Sequence, residues 1–128
     1  MPRTYILLIE EQAEFLNNVE FLVKLRPQLA LIATVTNGTA GLRTAQVLQP
    51  DITLIDLQLD GFTSLETIRN LRTSLPGMGI IAISYNDQSV YRQAALAAGA
   101  DEFVAKTCLI EDLLTVIQQV AQVRQVTS

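Results

Sequence analysis

The feature that most constrains this chain is an alternation of short apolar runs with longer segments of helical period, repeated five times along 128 residues without an interruption long enough to be a linker. Such a pattern calls for an α/β fold, in which parallel strands are joined by crossover helices and the sheet is covered on both faces. The first run, Tyr5-Ile-Leu-Leu-Ile9, is continuously apolar and stops at Glu10-Glu11. Phe15, Leu16, Val19, Leu22 and Val23 then recur at helical spacing up to Pro27, which lacks the N–H that a helix interior needs. The second strand is expected over residues 31–35. Asn37-Gly38-Thr39 supplies a turn and cap for a helix carrying Leu42, Ala45 and Leu48, and Gly41 inside it costs up to about 1 kcal/mol that packing must offset.

After Pro50-Asp51 a third strand is expected over residues 52–57, and Thr63-Ser-Leu-Glu66 has the spacing of a capping box. Leu65, Ile68, Leu71 and Leu75 form the buried stripe of the helix it opens. A fourth strand follows over 80–84, then Asp87 as N-cap of an Ala-rich helix that ends at Gly99. The fifth strand, 102–105, precedes a last helix with Ile110, Leu113, Leu114, Ile117 and Val120 on one face. The length suits one domain, 1–128, with a core of about 4–122.

Composition narrows the function. Apolar residues are 49% and aromatics only 5%, so the core is aliphatic. A net charge of −4 argues against a nucleic-acid surface, which needs clustered Lys and Arg. Histidine is absent, which removes the commonest zinc ligand and general base and leaves oxygen as the ligand for any metal. Cys108 stands alone, so no internal disulfide forms; it is expected to be a buried or inert thiol. The first apolar run is too short for a signal peptide, and a cytoplasmic location without membrane contact is expected.

In an open parallel sheet, ligands bind outside the carboxyl ends of the strands. There the sequence offers Glu10 and Glu11, Asp56, Ser84 and Lys106. Each alone reads as a solvated loop residue; together, at one end of one apolar sheet, they are hard to explain as independent surface choices. Three carboxylates against one lysine leave uncompensated charge, and two like charges 4 Å apart cost about 4 kcal/mol at an effective dielectric of 20. A divalent cation would relieve this, and oxygen-only ligation suits Mg²⁺, which joins carboxylates to phosphate oxygens.

The motifs Ile6-Leu-Leu-Ile-Glu-Glu11, Leu54-Ile-Asp-Leu57, Ile80-Ile-Ala-Ile-Ser84, Ala98-Gly-Ala-Asp101 and Phe103-Val-Ala-Lys106, taken in order, resemble the receiver domain of two-component response regulators, the CheY-like superfamily. The resemblance implies a flavodoxin-like, doubly wound sheet of order 2-1-3-4-5 with five helices. It implies Asp56 as phosphoacceptor, taking its phosphoryl group from a sensor histidine kinase, a phosphotransfer protein or a small phosphodonor. Mg²⁺ would be held by Glu10, Glu11, Asp56 and the backbone carbonyl of Gln58. Lys106 would pair with the phosphoryl oxygens, Ser84 would hydrogen-bond them, and Phe103 would be the aromatic that follows Ser84. The implied protein is a signalling switch that catalyses only its own modification, read out by an output domain or protein partner, with a homodimer through the fourth or fifth helix.

The chain departs from the family pattern at Glu10-Glu11, where at least one Asp is usual, at Asp60 and Thr63-Ser64 in the loop after Asp56, and at Thr107, where Pro is frequent. These departures support an alternative, a pseudo-receiver that docks a partner without being phosphorylated; the retained Asp56, Ser84 and Lys106 weigh against it. Other α/β enzymes fit less well. No glycine-rich turn follows the first strand, no P-loop is present, and Gln58 stands where a dehalogenase-type hydrolase carries a second Asp.

Overall fold

A computed structural model describes residues 3–58 and 63–126. The elements run β1 (Thr4–Ile9), α1 (Ala13–Lys24), β2 (Leu29–Val35), α2 (Gly38–Leu48), β3 (Ile52–Asp56), α3 (Thr63–Ser74), β4 (Gly79–Ser84), α4 (Ser89–Ala98), β5 (Glu102–Ala105) and α5 (Leu109–Val126). All strand pairings are parallel and the order is β2-β1-β3-β4-β5, as expected.

The apolar runs are continuous because both faces of the central strands are covered. Ile6, Leu8, Leu54, Ile81 and Ile83 pack with Val19 and Leu22 of α1 and with Leu113 and Ile117 of α5. Leu7, Ile9, Ile55, Ile80 and Ala82 pack on the other side with Ala45 of α2, Ile68 and Leu71 of α3, and Ala95 and Ala98 of α4. Gly41 has a reason to be glycine: a Cβ there would lie 2.3 Å from Ile9 Cδ1, so its absence lets α2 settle on β1. Gly99 ends α4 with φ 126°, a conformation open to glycine at little cost.

Several local expectations are corrected. β2 begins two residues early, at Leu29, and β3 stops at Asp56, with Leu57 in the turn. Asp87 is not the cap of α4. Ser84 Oγ accepts from the Asn86 N–H (3.0 Å) and Asn86 Oδ1 from the Gln88 N–H (3.3 Å), and these successive turns carry the chain past Asp87 so that Gln88 holds the cap position. Ile110 is 74% exposed; a 3₁₀ turn over Lys106–Cys108 leads into α5, whose buried stripe is Leu109, Leu113, Ile117 and Val120, with Leu109 in the place expected for Ile110. Leu75 falls just past α3, and Cys108 is exposed, which removes the buried half of the expectation of a buried or inert thiol. Asp60 and the Thr63 side chain of the capping box lie outside the described residues.

Candidate functional site

The sheet register assembles the site. Ile9 pairs with Ile55, so Glu10 and Asp56, the next residue on each strand, lie side by side at the carboxyl end. Asp56 pairs with Ile83 and Ser84 with Ala105, which puts Ser84 and Lys106 at the same end on the adjoining strands.

Three charged groups meet there, almost out of reach of water: Glu10 is 0% exposed, Asp56 1% and Lys106 5%. Lys106 Nζ donates to Asp56 Oδ2 at 2.9 Å and to Glu10 Oε1 at 3.2 Å. The backbone N–H of Gln58 donates to Asp56 Oδ1 (2.9 Å), and that of Gln12 to Glu10 Oε1 (3.3 Å). Ser64, at the start of α3, donates its hydroxyl to the Asp56 carbonyl oxygen (3.0 Å) and ties the start of α3 to the end of β3.

Two buried carboxylates against one ammonium leave a net negative charge in a medium that screens poorly. The strain appears on Glu10. Its carboxyl is raised from 4.5 to about 7, first by burial, then by the charge of Asp56 and a hydrogen bond shared with it; Lys106 and the Gln12 N–H pull the other way. Ionised, Glu10 Oε2 is the buried side-chain polar atom left without a hydrogen-bond partner among the described residues. A proton on the Glu10 carboxyl supports the hydrogen bond it shares with Asp56. The site thus stores a place for a positive charge on Glu10 Oε2, filled by a proton or by a cation.

Of the residues singled out from sequence, Glu10, Asp56 and Lys106 touch directly. Glu11, the next residue, is exposed and makes no ion pair among the described residues. Gln58 follows β3 by two residues, and its side-chain oxygen accepts from the Tyr85 N–H at 3.4 Å. Ser84 is buried, and its hydroxyl oxygen organises the β4–α4 turn. Phe103 is buried on the α4 side of the sheet, with the Arg92 guanidinium 4.9 Å from its ring centroid.

Phe15 and Tyr85 were not foreseen as part of the site. The Phe15 ring centroid lies 4.0 Å and that of Tyr85 5.0 Å from Lys106 Nζ, and the two rings meet edge to face at 5.0 Å. Phe15 is indistinguishable by period from the other core positions of α1; an aromatic directly after the strand-end Ser84 was the one available sign.

Among the described residues, no three Asp, Glu or Cys side chains group as a ready-made metal centre. The donor set nevertheless fits Mg²⁺, which is usually held by one or two carboxylates and completes its shell with water and phosphate oxygens. The orphaned Glu10 oxygen is the feature that asks for a cation. No described helix is long and apolar enough to cross a membrane.

Comparison with known proteins places the chain among relatives of known family. The chain is 32% identical over 96% of its length to the nitrate/nitrite response regulator protein NarL of Escherichia coli, and 28% identical over 91% to the Haemophilus influenzae homolog. It spans only 57% and 56% of those proteins. The signal receiver domain of a NarL from Mycobacterium tuberculosis superposes with a TM-score of 0.87 at 20% identity, covering 95% of this chain and 98% of that one. A CheY-like receiver domain protein from Methanospirillum hungatei gives 0.86 at 18% identity, covering 98% and 99%; both likenesses concern the fold. The response regulator receiver domain profile matches residues 6–118, and the chain belongs to that family.

Proposed function

We propose that Asp56 accepts a phosphoryl group from the phosphohistidine of a sensor histidine kinase or phosphotransfer protein, with Mg²⁺, and that the modified chain changes what it binds. The observation that carries this reading is the buried Asp56–Lys106–Glu10 cluster, whose surplus negative charge and unpartnered Glu10 oxygen suit a cation and a transferred anion. An Asp56 oxygen forms the new P–O bond as the donor P–N bond breaks, its electron pair leaving with the imidazole nitrogen. Lys106 offsets charge on the phosphoryl oxygens, and the Ser84 hydroxyl donates to one of them. Most of the rate in such a transfer comes from positioning and electrostatics.

Glu10, Asp56 and the Gln58 carbonyl, with Glu11 at the rim, would hold the metal. Bound there, Mg²⁺ would offset charge between carboxylates and phosphoryl oxygens. Ser84, drawn toward the phosphoryl group, would loosen the turn it organises at the head of α4, and Phe103 would follow. An output domain, a protein partner or a homodimer through α4 or α5 would read that change in the cytoplasm, with no direct nucleic-acid contact by this domain.

Intact mass after incubation with acetyl phosphate and Mg²⁺ tests the reading. One phosphoryl group is expected, lost with EDTA and in Asp56→Asn. A folded chain that gains nothing would favour the pseudo-receiver, for which one observation speaks: Lys106 already has two carboxylate partners, Asp56 Oδ2 and Glu10 Oε1, in the unmodified chain.

A further inference from the structure

We propose that Phe15 is a positioning residue for Lys106, its ring face holding the ammonium beside Asp56 for the incoming phosphoryl oxygen. This rests on the reading of Asp56 as phosphoacceptor.

A lysine ammonium has three N–H donors. Two are spent on Asp56 Oδ2 and Glu10 Oε1, at 2.9 and 3.2 Å. The Phe15 ring, 4.0 Å from Nζ, and the Tyr85 ring, 5.0 Å away, flank the same nitrogen. A ring face attracts a cation through its quadrupole, yet it offers no lone pair that fixes the direction of a hydrogen bond. Lys106 can therefore exchange a carboxylate oxygen for a phosphoryl oxygen without leaving its place. Tyr85, edge to face on Phe15 with an interplanar angle of 82°, steadies the ring. The contact also ties three elements into one unit: α1 through Phe15, the end of β4 through Tyr85 and the end of β5 through Lys106. Phe15 belongs to the apolar core as well, and filling that space alone would be served by any aliphatic side chain of similar bulk.

The chain has two lysines, Lys24 and Lys106, so lysine-labelled protein resolves them, with exposed Lys24 as internal reference. The ring current of Phe15 is expected to move the Lys106 ε-methylene protons upfield of those of Lys24, and Phe15→Leu to reduce the displacement to the smaller part that the Tyr85 ring supplies. Trifluorinated phenylalanine at position 15 keeps the shape and removes most of the quadrupole. With acetyl phosphate and Mg²⁺, both variants are expected to lower the maximal phosphorylation rate by roughly tenfold at unchanged half-saturating donor concentration. A core role alone would leave the fluorinated chain at the unsubstituted rate. Lys106 protons resonating with Lys24 would overturn the contact. Undiminished rates in both variants, with the unsubstituted chain phosphorylated, would overturn the role of Phe15 alone. An unsubstituted chain that takes up no phosphoryl group while showing the upfield shift would overturn both the phosphoacceptor reading and the role built on it.

Discussion

The two ends of the sheet each carry a cluster of three charged side chains, and the clusters are built on opposite principles. At the amino end, Asp101 pairs through Oδ2 with Arg72 (2.9 Å) and through Oδ1 with Arg124, while Oδ2 also accepts from the Ile80 N–H at 2.8 Å. The Arg72 guanidinium also donates to the carbonyls of Gly99 (3.0 Å), Pro76 (3.0 Å) and Met78 (2.5 Å). One acid is surrounded by two bases, both acid oxygens are bonded, and the side chains remain about a quarter exposed. At the carboxyl end, two acids share one base, the group is sealed from water, and one oxygen is unpartnered. The first arrangement is complete and clamps α3, β4 and α5 together. The second is incomplete: it leaves one buried carboxylate oxygen without a partner among the described residues, an arrangement that costs stability.

The largest expected contrast is in phosphoryl uptake, which Asp56→Asn abolishes and Asp101→Ala leaves in place, read by intact mass with acetyl phosphate and Mg²⁺. Stability reverses the contrast.

In EDTA, the raised carboxyl of Glu10 makes the folded chain hold a proton that the unfolded chain releases near 4.5. Its contribution is therefore full below pH 4.5 and is lost as pH rises through about 7, on the order of 3 kcal/mol over that window. Glu10→Gln is expected to flatten this fall, measured by urea unfolding at a series of pH values. A wild-type stability that rises over the same window would break the comparison.

Asp101→Ala, which leaves two guanidinium groups facing each other and the Ile80 N–H short of a partner, is expected to cost about 2 kcal/mol in urea unfolding at pH 7. Gly41→Ala, which forces a methyl group onto Ile9, is expected to cost about 1–2 kcal/mol without touching the charged groups. Smallest of all, Cys108→Ser, at an exposed thiol that ends the 3₁₀ turn, is expected to change stability by less than about 0.5 kcal/mol and leave uptake unaltered.

The carboxyl-end cluster was legible in sequence because strands buried on both faces must be apolar, so Asp56 and Lys106 stand out against Ile, Leu and Val. The amino-end clamp was not. Asp101 sat in a recognisable motif, but Arg72 and Arg124, on two distant helices, follow no period that distinguishes them from solvated charges. Glu10 and Glu11 could not be separated either, since the buried carboxylate differs from its exposed neighbour only in which way the chain leaves β1. Phe15 was visible as core and silent as a lysine partner, because a ring filling space and a ring facing a cation occupy the same position in a helical stripe. The exposure of Ile110 and the displacement of the α4 cap both arise at helix starts. Leu109 takes the buried first-turn position of α5 and leaves Ile110 outside, and the Ser84 and Asn86 turns after β4 move the α4 cap by one residue, from Asp87 to Gln88.

The most direct test of the difference between the two ends is to locate the modification itself. After phosphorylation with acetyl phosphate and Mg²⁺, borohydride reduction converts an aspartyl phosphate to homoserine, and peptide mass mapping reads its position. Homoserine at position 56, with Asp101 intact, is the predicted result. An unreduced Asp56 in protein that has gained a phosphoryl group, or homoserine at another acidic residue, would contradict it.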